Sequence, residues 1–74
     1  MNENERINEV IRRLIKFYIF ENKHILDKEY EDIMPFMQGE ISGYILALNI
    51  ISEEFEIDIK EIYKKIEIYQ KEEK

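Results

Sequence analysis

Residues 26–55, LDKEYEDIMPFMQGEISGYILALNIISEEF, contain the clearest helical pattern in the chain. Apolar residues recur there in steps of three and four that average about 3.6 residues, which is the period of an α-helix. The pattern therefore predicts an amphipathic helix and favours an all-α fold. The apolar stripe consists of Leu26, Tyr30, Ile33, Met37, Ile41, Tyr44, Leu48, Ile51 and Phe55.

Pro35 interrupts this stripe, because proline lacks an N–H donor and clashes with the preceding helical turn. Two arrangements are compatible with it. Either one long helix is kinked near Met34, or a short helix ends there and a new one, capped by Asp32, carries Pro35 in its first turn. Since the stripe keeps its phase across Pro35, the sequence favours a long, Pro-kinked central helix whose N-cap is Asp27.

Weaker helical patterns lie on both sides of this segment. A first helix is predicted over residues 6–22, and the polar residues 21–24 form the turn that follows it. Asp58 is a predicted N-cap, with Glu61 three residues later as in a capping box, so a third helix follows. The apolar positions are Ile7, Ile11, Leu14 and Tyr18 in the first helix and Ile59, Ile62, Tyr63, Ile66 and Tyr69 in the third.

The length of 74 residues limits the chain to one domain. A domain of this size buries only about 60% of its unfolded surface, so a lone monomer is marginally stable. We predict a single helical domain over residues 1–74, a small bundle or hairpin of two to three helices, with residues 1–5 and 70–74 frayed. Residues 17–20 and 44–51 are apolar on nearly every side, so we expect a homo-oligomer to complete the bundle.

Small residues line one narrow face of the second helix. Glycine inside a helix costs about 0.5–1 kcal/mol relative to alanine, and close approach of another helix is the usual compensation. Tolerance of glycine near a kink is the alternative. Asn49 either makes a polar contact across an interface or faces water. The predicted packing or oligomer interface consists of Gly39, Ser42, Gly43 and Ala47, together with Phe17 and Phe20.

Charge and composition exclude several classes of protein. The formal net charge is -6, which disfavours nucleic-acid binding but is compatible with a basic protein partner. The absence of cysteine excludes disulfides and cysteine-based metal sites. No segment approaches the roughly 20 apolar residues of a membrane span, and the acidic N-terminus does not resemble a secretory signal, so we expect a cytoplasmic protein.

Candidate catalytic groups are few. Glu21 and His24 have the Glu-x-x-His spacing of carboxylate-bridged di-metal bundles, but they fall in a predicted turn rather than in a bundle core. The adjacent carboxylates lie on predicted polar faces, and no phosphate-binding loop or activated nucleophile is evident. The sequence therefore predicts no enzyme, no cofactor and no metal site.

One concentrated basic patch lies on the first helix and consists of Arg12, Arg13 and Lys16. In an oligomer, several copies of this patch could converge on an anionic nucleotide or metabolite. The alternative is a solubilising face on which Glu9 pairs with Arg13 four residues later.

These features favour a small, acidic, non-enzymatic helical interaction protein that binds and regulates or inhibits a protein partner. Short acidic chains of this kind are common among accessory proteins of bacteria and phages. The alternative function is an oligomeric protein that sequesters a small anionic ligand through its basic helix face. None of the patterns is specific enough to indicate a protein family.

Overall fold

The computed structural model describes residues 2–72, which form three α-helices and contain no strand. Helix α1 spans Glu3–His24, α2 spans Met34–Glu54 and α3 spans Ile59–Glu72. A short 3-10 helix, Lys28–Ile33, connects α1 to α2. The predicted all-α small bundle is thereby confirmed. Of the ends expected to fray, Met1 and residues 73–74 lie outside the described residues.

Helix α1 begins three residues earlier than the sequence pattern alone indicates. The side chain of Asn2 accepts a hydrogen bond from the Glu5 backbone N–H at 2.9 Å, so it caps the helix. Glu3 and Glu5 lie in the first turn, where the helix dipole favours negative charge. An N-cap outside the apolar stripe therefore extends α1 into the segment that was expected to fray.

Pro35 lies in the first turn of α2 instead of kinking a longer helix. The preceding Ile33 has φ -111° and ψ 13°, which are not α-helical, and it occupies the N-cap position expected for Asp32. Proline lacks a backbone N–H, and in the first turn this loses no hydrogen bond, because the N–H groups there have no acceptor within the helix. Two separate helices therefore occupy this region, which is the second of the two arrangements considered. The shorter helix, Lys28–Ile33, is a 3-10 helix.

The core forms where one face from each helix meets. Helix α1 contributes an i, i+4 row to it, and this row lies beside the predicted stripe of α1 rather than in its centre. Leu26, Ile33 and Phe55 remain exposed, because the 3-10 helix and the turns at both ends of α2 end the periodic stripe. The core residues are Ile11, Ile15, Ile19, Leu48, Ile62 and Ile66.

Helix α1, and not α2, is the central element of the bundle. It packs against both α2 and α3, and these two contact each other much less. Helices α1 and α2 run antiparallel, since Phe17 stacks on Tyr44 while Ile7 lies near Ile51 and Phe55 at the other end. The predicted central position of the second helix therefore needs correction, because α1 takes that position and one side of α2 faces solvent.

The turn between α2 and α3 contains a left-handed residue, Glu56, with φ 54°. Helix α3 then begins as predicted, because the Asp58 side chain accepts a hydrogen bond from the Lys60 N–H at 3.0 Å. The Asp58 carbonyl also accepts from the Glu61 N–H at 2.9 Å. Glu61 itself pairs with Lys64, so the cap at Asp58 operates without the reciprocal contact of a capping box.

Candidate protein-binding surface

A groove opens between α1 and α2, and none of its lining residues belongs to α3. We call it the aromatic groove. Because α1 and α2 are antiparallel, the C-terminal half of α1 faces the N-terminal half of α2 here. The residues that line the groove are Lys16, Phe17, Phe20 and Glu21 of α1 and Glu40 and Tyr44 of α2.

The aromatic side chains of this groove are only partly covered. Phe17 is 54% exposed and Phe20 is 52% exposed. The ring of Phe17 stacks on the ring of Tyr44, with centroids 6.0 Å apart and planes inclined by 20°. The ring of Phe20 lies 4.6 Å from that of His24. These contacts fix the ring positions within the chain and leave about half of each phenylalanine available to another molecule.

Two carboxyl groups from different helices meet in the groove. The Oε2 atom of Glu21 is buried and receives no hydrogen bond. Burial and the neighbouring Glu40 carboxyl raise the pKa of Glu21, and the Tyr44 hydroxyl partly opposes this shift. Tyr44 donates a long hydrogen bond of 3.4 Å to Oε2 of Glu40. The groove thus combines aromatic walls with a pair of carboxyl groups, and Lys16 is the one basic residue that lines it.

The Tyr44 hydroxyl responds to the same surroundings. Burial raises its pKa, and the carboxyls of Glu21 and Glu40 raise it further because a phenolate beside them would be a third negative charge. Tyr44 therefore serves as a hydrogen-bond donor. It supplies one O–H to a site that offers several carboxyl oxygens.

Glu40 is not among the candidate residues predicted from the sequence, although a signal for it exists. Glu40 is the single charged residue between Ile33 and Ser52, and it lies four residues before Tyr44 on the stripe that faces α1. A lone charge in an otherwise uncharged helix indicates a specific local environment. Glu21 was considered only as a partner of His24, which instead places Nδ1 2.6 Å from Oδ2 of Asp27.

The predicted basic patch does not converge on one point. Arg12 makes a two-pronged ion pair with Glu9, in which Nε lies 2.9 Å from Oε2 and Nη2 bonds to Oε1. This pair raises the pKa of Arg12 and lowers the pKa of Glu9. The pair uses i, i+3 spacing, so the expected Glu9–Arg13 pair is wrong. Arg13 is exposed, and Lys16 lies in the aromatic groove.

No helix among residues 2–72 packs closely against Gly39 and Gly43 of the predicted small-residue interface. Gly39, Ser42 and Gly43 are exposed and Ala47 is half-buried. A Cβ atom added at either glycine would meet nothing within 4 Å. Phe17 and Phe20, assigned to the same interface, belong instead to the aromatic groove. Asn49 donates a hydrogen bond of 2.9 Å to the Ile45 carbonyl of its own helix.

A second groove lies at the opposite end of the α1–α2 contact. Its walls are mainly apolar, and Arg6 and Glu3 stand at its edge. It has no buried polar group comparable to the carboxyl of Glu21 among residues 2–72. The residues that line it are Glu3, Arg6, Ile7, Val10, Ile51 and Phe55.

Residues 2–72 contain no helix that is both long and apolar enough to cross a membrane. Within the same range, no three histidine or acidic side chains are grouped so as to hold a metal ion. Comparison of the chain with protein-family models, with curated proteins and with solved structures finds no match in any of the three. Arguments about function therefore depend on the surface of the bundle.

Proposed function

We propose that the chain is a non-enzymatic cytoplasmic interaction protein that binds a protein partner through the aromatic groove and thereby regulates or inhibits that partner. The partner would present an arginine or lysine flanked by apolar side chains. This proposal combines the acidic charge of the chain with the half-exposed aromatic residues between α1 and α2.

The observation that carries the proposal is the Glu21 carboxyl, with its buried oxygen lacking a donor. Leaving a buried acceptor unsatisfied is unfavourable by about 1–3 kcal/mol, and more for a charged group. A guanidinium or ammonium from a partner would supply the missing donor once the Glu21 side chain rotates toward the groove, and it would neutralise Glu40 at the same time. Binding would therefore relieve an unfavourable feature of the free protein.

The aromatic residues are suited to the remainder of such a partner. Arginine and lysine carry apolar stems below their charged heads, and these stems pack on aromatic rings. The exposed halves of Phe17 and Phe20 offer that contact, and they also match apolar neighbours of the basic residue. The net charge of -6 would attract a basic partner and speed its association.

Sequestration of an anionic nucleotide or metabolite is less well supported. Glu9 already occupies the guanidinium of Arg12, and Lys16 stands beside the carboxyls of Glu21 and Glu40. An anion at Lys16 would have to approach those carboxyls. Arg13, the third basic residue, is exposed and does not line the groove.

The proposal can be tested by selecting peptides from a randomised displayed library on the wild-type chain and on the double variant Glu21→Gln/Glu40→Gln. Peptides enriched on the wild-type chain should carry a basic residue between apolar ones. The double variant should lose this preference for a basic residue, because glutamine keeps the shape of the site and removes its charge.

Two further variants separate the groove from the rest of the surface. Phe17→Ala/Phe20→Ala should weaken binding of the selected peptides by about tenfold or more, because aromatic residues dominate such contacts. Ile68→Ala is the matched control, since Ile68 is equally exposed but lies on α3. The proposal would be contradicted if the selected peptides carried no basic residue. It would also be contradicted if Ile68→Ala weakened binding as much as Phe17→Ala/Phe20→Ala.

A further inference from the structure

One face of α2 is exposed to solvent and carries apolar residues and glycines that recur at a regular interval. We call it the outer face of α2. Its members are separated by steps of 3, 4, 3 and 4 residues, which average the 3.5-residue period of helices that pair along their length. Phe36 is 67% exposed, Leu46 is 62% exposed and Ile50 is 52% exposed. The outer face consists of Phe36, Gly39, Gly43, Leu46 and Ile50.

The outer face is separate from the face of α2 that α1 covers. Met37 and Leu48 are buried on the inner side of the helix, and Tyr44 meets Phe17 of α1 there. On the helical wheel the residues of the outer face lie on nearly the opposite side. A helix that is apolar on two opposite sides is typical of an element covered from both directions.

We infer that a second copy of this chain covers the outer face of α2, with the two α2 helices antiparallel about a two-fold axis near Gly43. Charge favours a second copy over a foreign partner. Residues 41–52 include no charged residue, in a chain of which 38% is charged. Two molecules that each carry a charge of -6 repel each other least along a neutral strip, and Gly43, Leu46 and Ile50 of the outer face lie in this one.

Side-chain size favours the antiparallel arrangement. When Gly43 meets its own counterpart, Gly39 of one copy faces the Leu46 region of the other, and Phe36 faces Ile50. The gap left by Gly39 then lies beside Leu46 of the other copy, as in knobs-into-holes packing, and the two backbones approach most closely where the Gly43 residues meet. A parallel pair would instead set leucine against leucine and hold the backbones apart at the glycines. The face is therefore complementary to itself, as a two-fold interface requires.

The glycines add an independent argument. In the described part of the chain, an added Cβ at Gly39 or Gly43 meets nothing within 4 Å, and neither glycine has a positive φ. The fold of a single chain therefore gives no reason for glycine at either position. Close approach of a second helix does give one, because the missing Cβ lets two backbones come together.

The experiment is sedimentation of the full chain over a range of concentrations, with Gly43→Ala and Leu46→Lys as variants. The wild-type chain should approach twice its mass of 9.1 kDa. Gly43→Ala should raise the melting temperature of the dilute protein, since alanine favours the helix and meets no neighbour. The same variant should weaken the dimer by about tenfold, the usual effect of overpacking a tight contact. Ile68→Lys is the control and should sediment as wild type.

Two further measurements identify the occupant of the outer face: the dependence of association on ionic strength, and disulfide cross-linking between copies. Added salt should strengthen association of two acidic copies, whereas it would weaken association with a basic partner. Because the chain has no cysteine, Gly43→Cys introduces a single thiol. At a protein concentration high enough to offset the weakened contact, this thiol should form a disulfide between copies, since the two-fold axis brings its Cα atoms within about 7 Å. Leu46→Cys should cross-link poorly in the antiparallel pair. A single-chain mass at every concentration, or equal cross-linking through Ile68→Cys, would overturn the inference.

Discussion

Ser52 binds both backbone polar groups of Ile57. The Ser52 carbonyl accepts a hydrogen bond from the Ile57 N–H at 2.9 Å, and the Ser52 hydroxyl donates to the Ile57 carbonyl. The first bond is the one that closes a Schellman turn at a helix C-terminus. Ser52 is the one buried polar residue in the described part of the chain. This residue therefore fixes the direction in which the chain leaves α2 for α3.

Replacing Ser52 by alanine should lower the free energy of unfolding by about 1–2 kcal/mol, because the half-buried Ile57 carbonyl loses its donor. Urea unfolding followed by circular dichroism measures the change. Ser42→Ala is the matched control, since Ser42 is an exposed serine of the same helix and should change stability by less than about 0.5 kcal/mol. Equal effects of the two substitutions would show that the Ser52–Ile57 contact contributes nothing.

Glu56→Gly should stabilise the protein. Glu56 has φ 54°, a conformation that glycine adopts without a steric penalty, so we expect a gain of about 0.5–1 kcal/mol. Glu53→Gly is the opposite control, because Glu53 lies inside α2, where glycine should destabilise by a similar amount. Thermal unfolding of both variants tests the pair. A loss of stability in Glu56→Gly would contradict the left-handed assignment.

Ile15→Val should lower the free energy of unfolding by about 0.5–1.5 kcal/mol, because Ile15 is fully buried where α1 meets α3 and α2. Ile68→Val makes the same chemical change at an exposed position of α3 and should shift stability by less than about 0.5 kcal/mol. Chemical denaturation measures both. If Ile68→Val lowered the free energy of unfolding more than Ile15→Val, the assignment of Ile15 to the core would be wrong.

Stability should depend on pH through Glu21. Its pKa is raised above the usual value of 4.5, so the folded protein holds this proton more tightly than the unfolded chain. The stabilisation is fully present below about pH 4.5 and is lost as the pH rises through the raised pKa. Glu21→Gln removes the buried charge, so it should be more stable than wild type at neutral pH.

The measurement is urea unfolding of wild type and Glu21→Gln at a series of pH values. The advantage of Glu21→Gln should disappear in acid, where Glu21 of the wild-type chain is protonated. Glu67→Gln is the control, since Glu67 is exposed on α3, and it should follow the wild-type profile. If Glu21→Gln were less stable than wild type at neutral pH, the carboxyl would have to be satisfied in the free protein.

The helical period was sufficient to predict the class of fold, the cap at Asp58 and the buried positions of α3 at Ile62 and Ile66. These follow from local spacing, which the sequence displays directly. The placement of Pro35 was not predictable in the same way. The apolar residues of the 3-10 helix happen to keep the spacing of an α-helix. The stripe therefore could not distinguish one kinked helix from a new helix that begins at Met34.

The candidate site was less accessible to sequence reasoning. Phe17 and Phe20 were recognised as excess apolar surface, but the meeting of Glu21 with Glu40 depends on the antiparallel register of α1 and α2. Nothing in either helix alone specifies that register. The outer face of α2 was recognised through its glycines. Its separation from the inner face became evident only once α1 was shown to cover the other side.

The core of six residues draws three from α1, one from α2 and two from α3. Helix α1 therefore shares its core with two helices, and α3 supplies two of the three core residues that it meets. Without α3, the Ile11–Ile15–Ile19 row would have only part of its cover, and the α1–α2 pair would expose apolar surface on two sides. A chain truncated before α3 would for this reason be prone to aggregate.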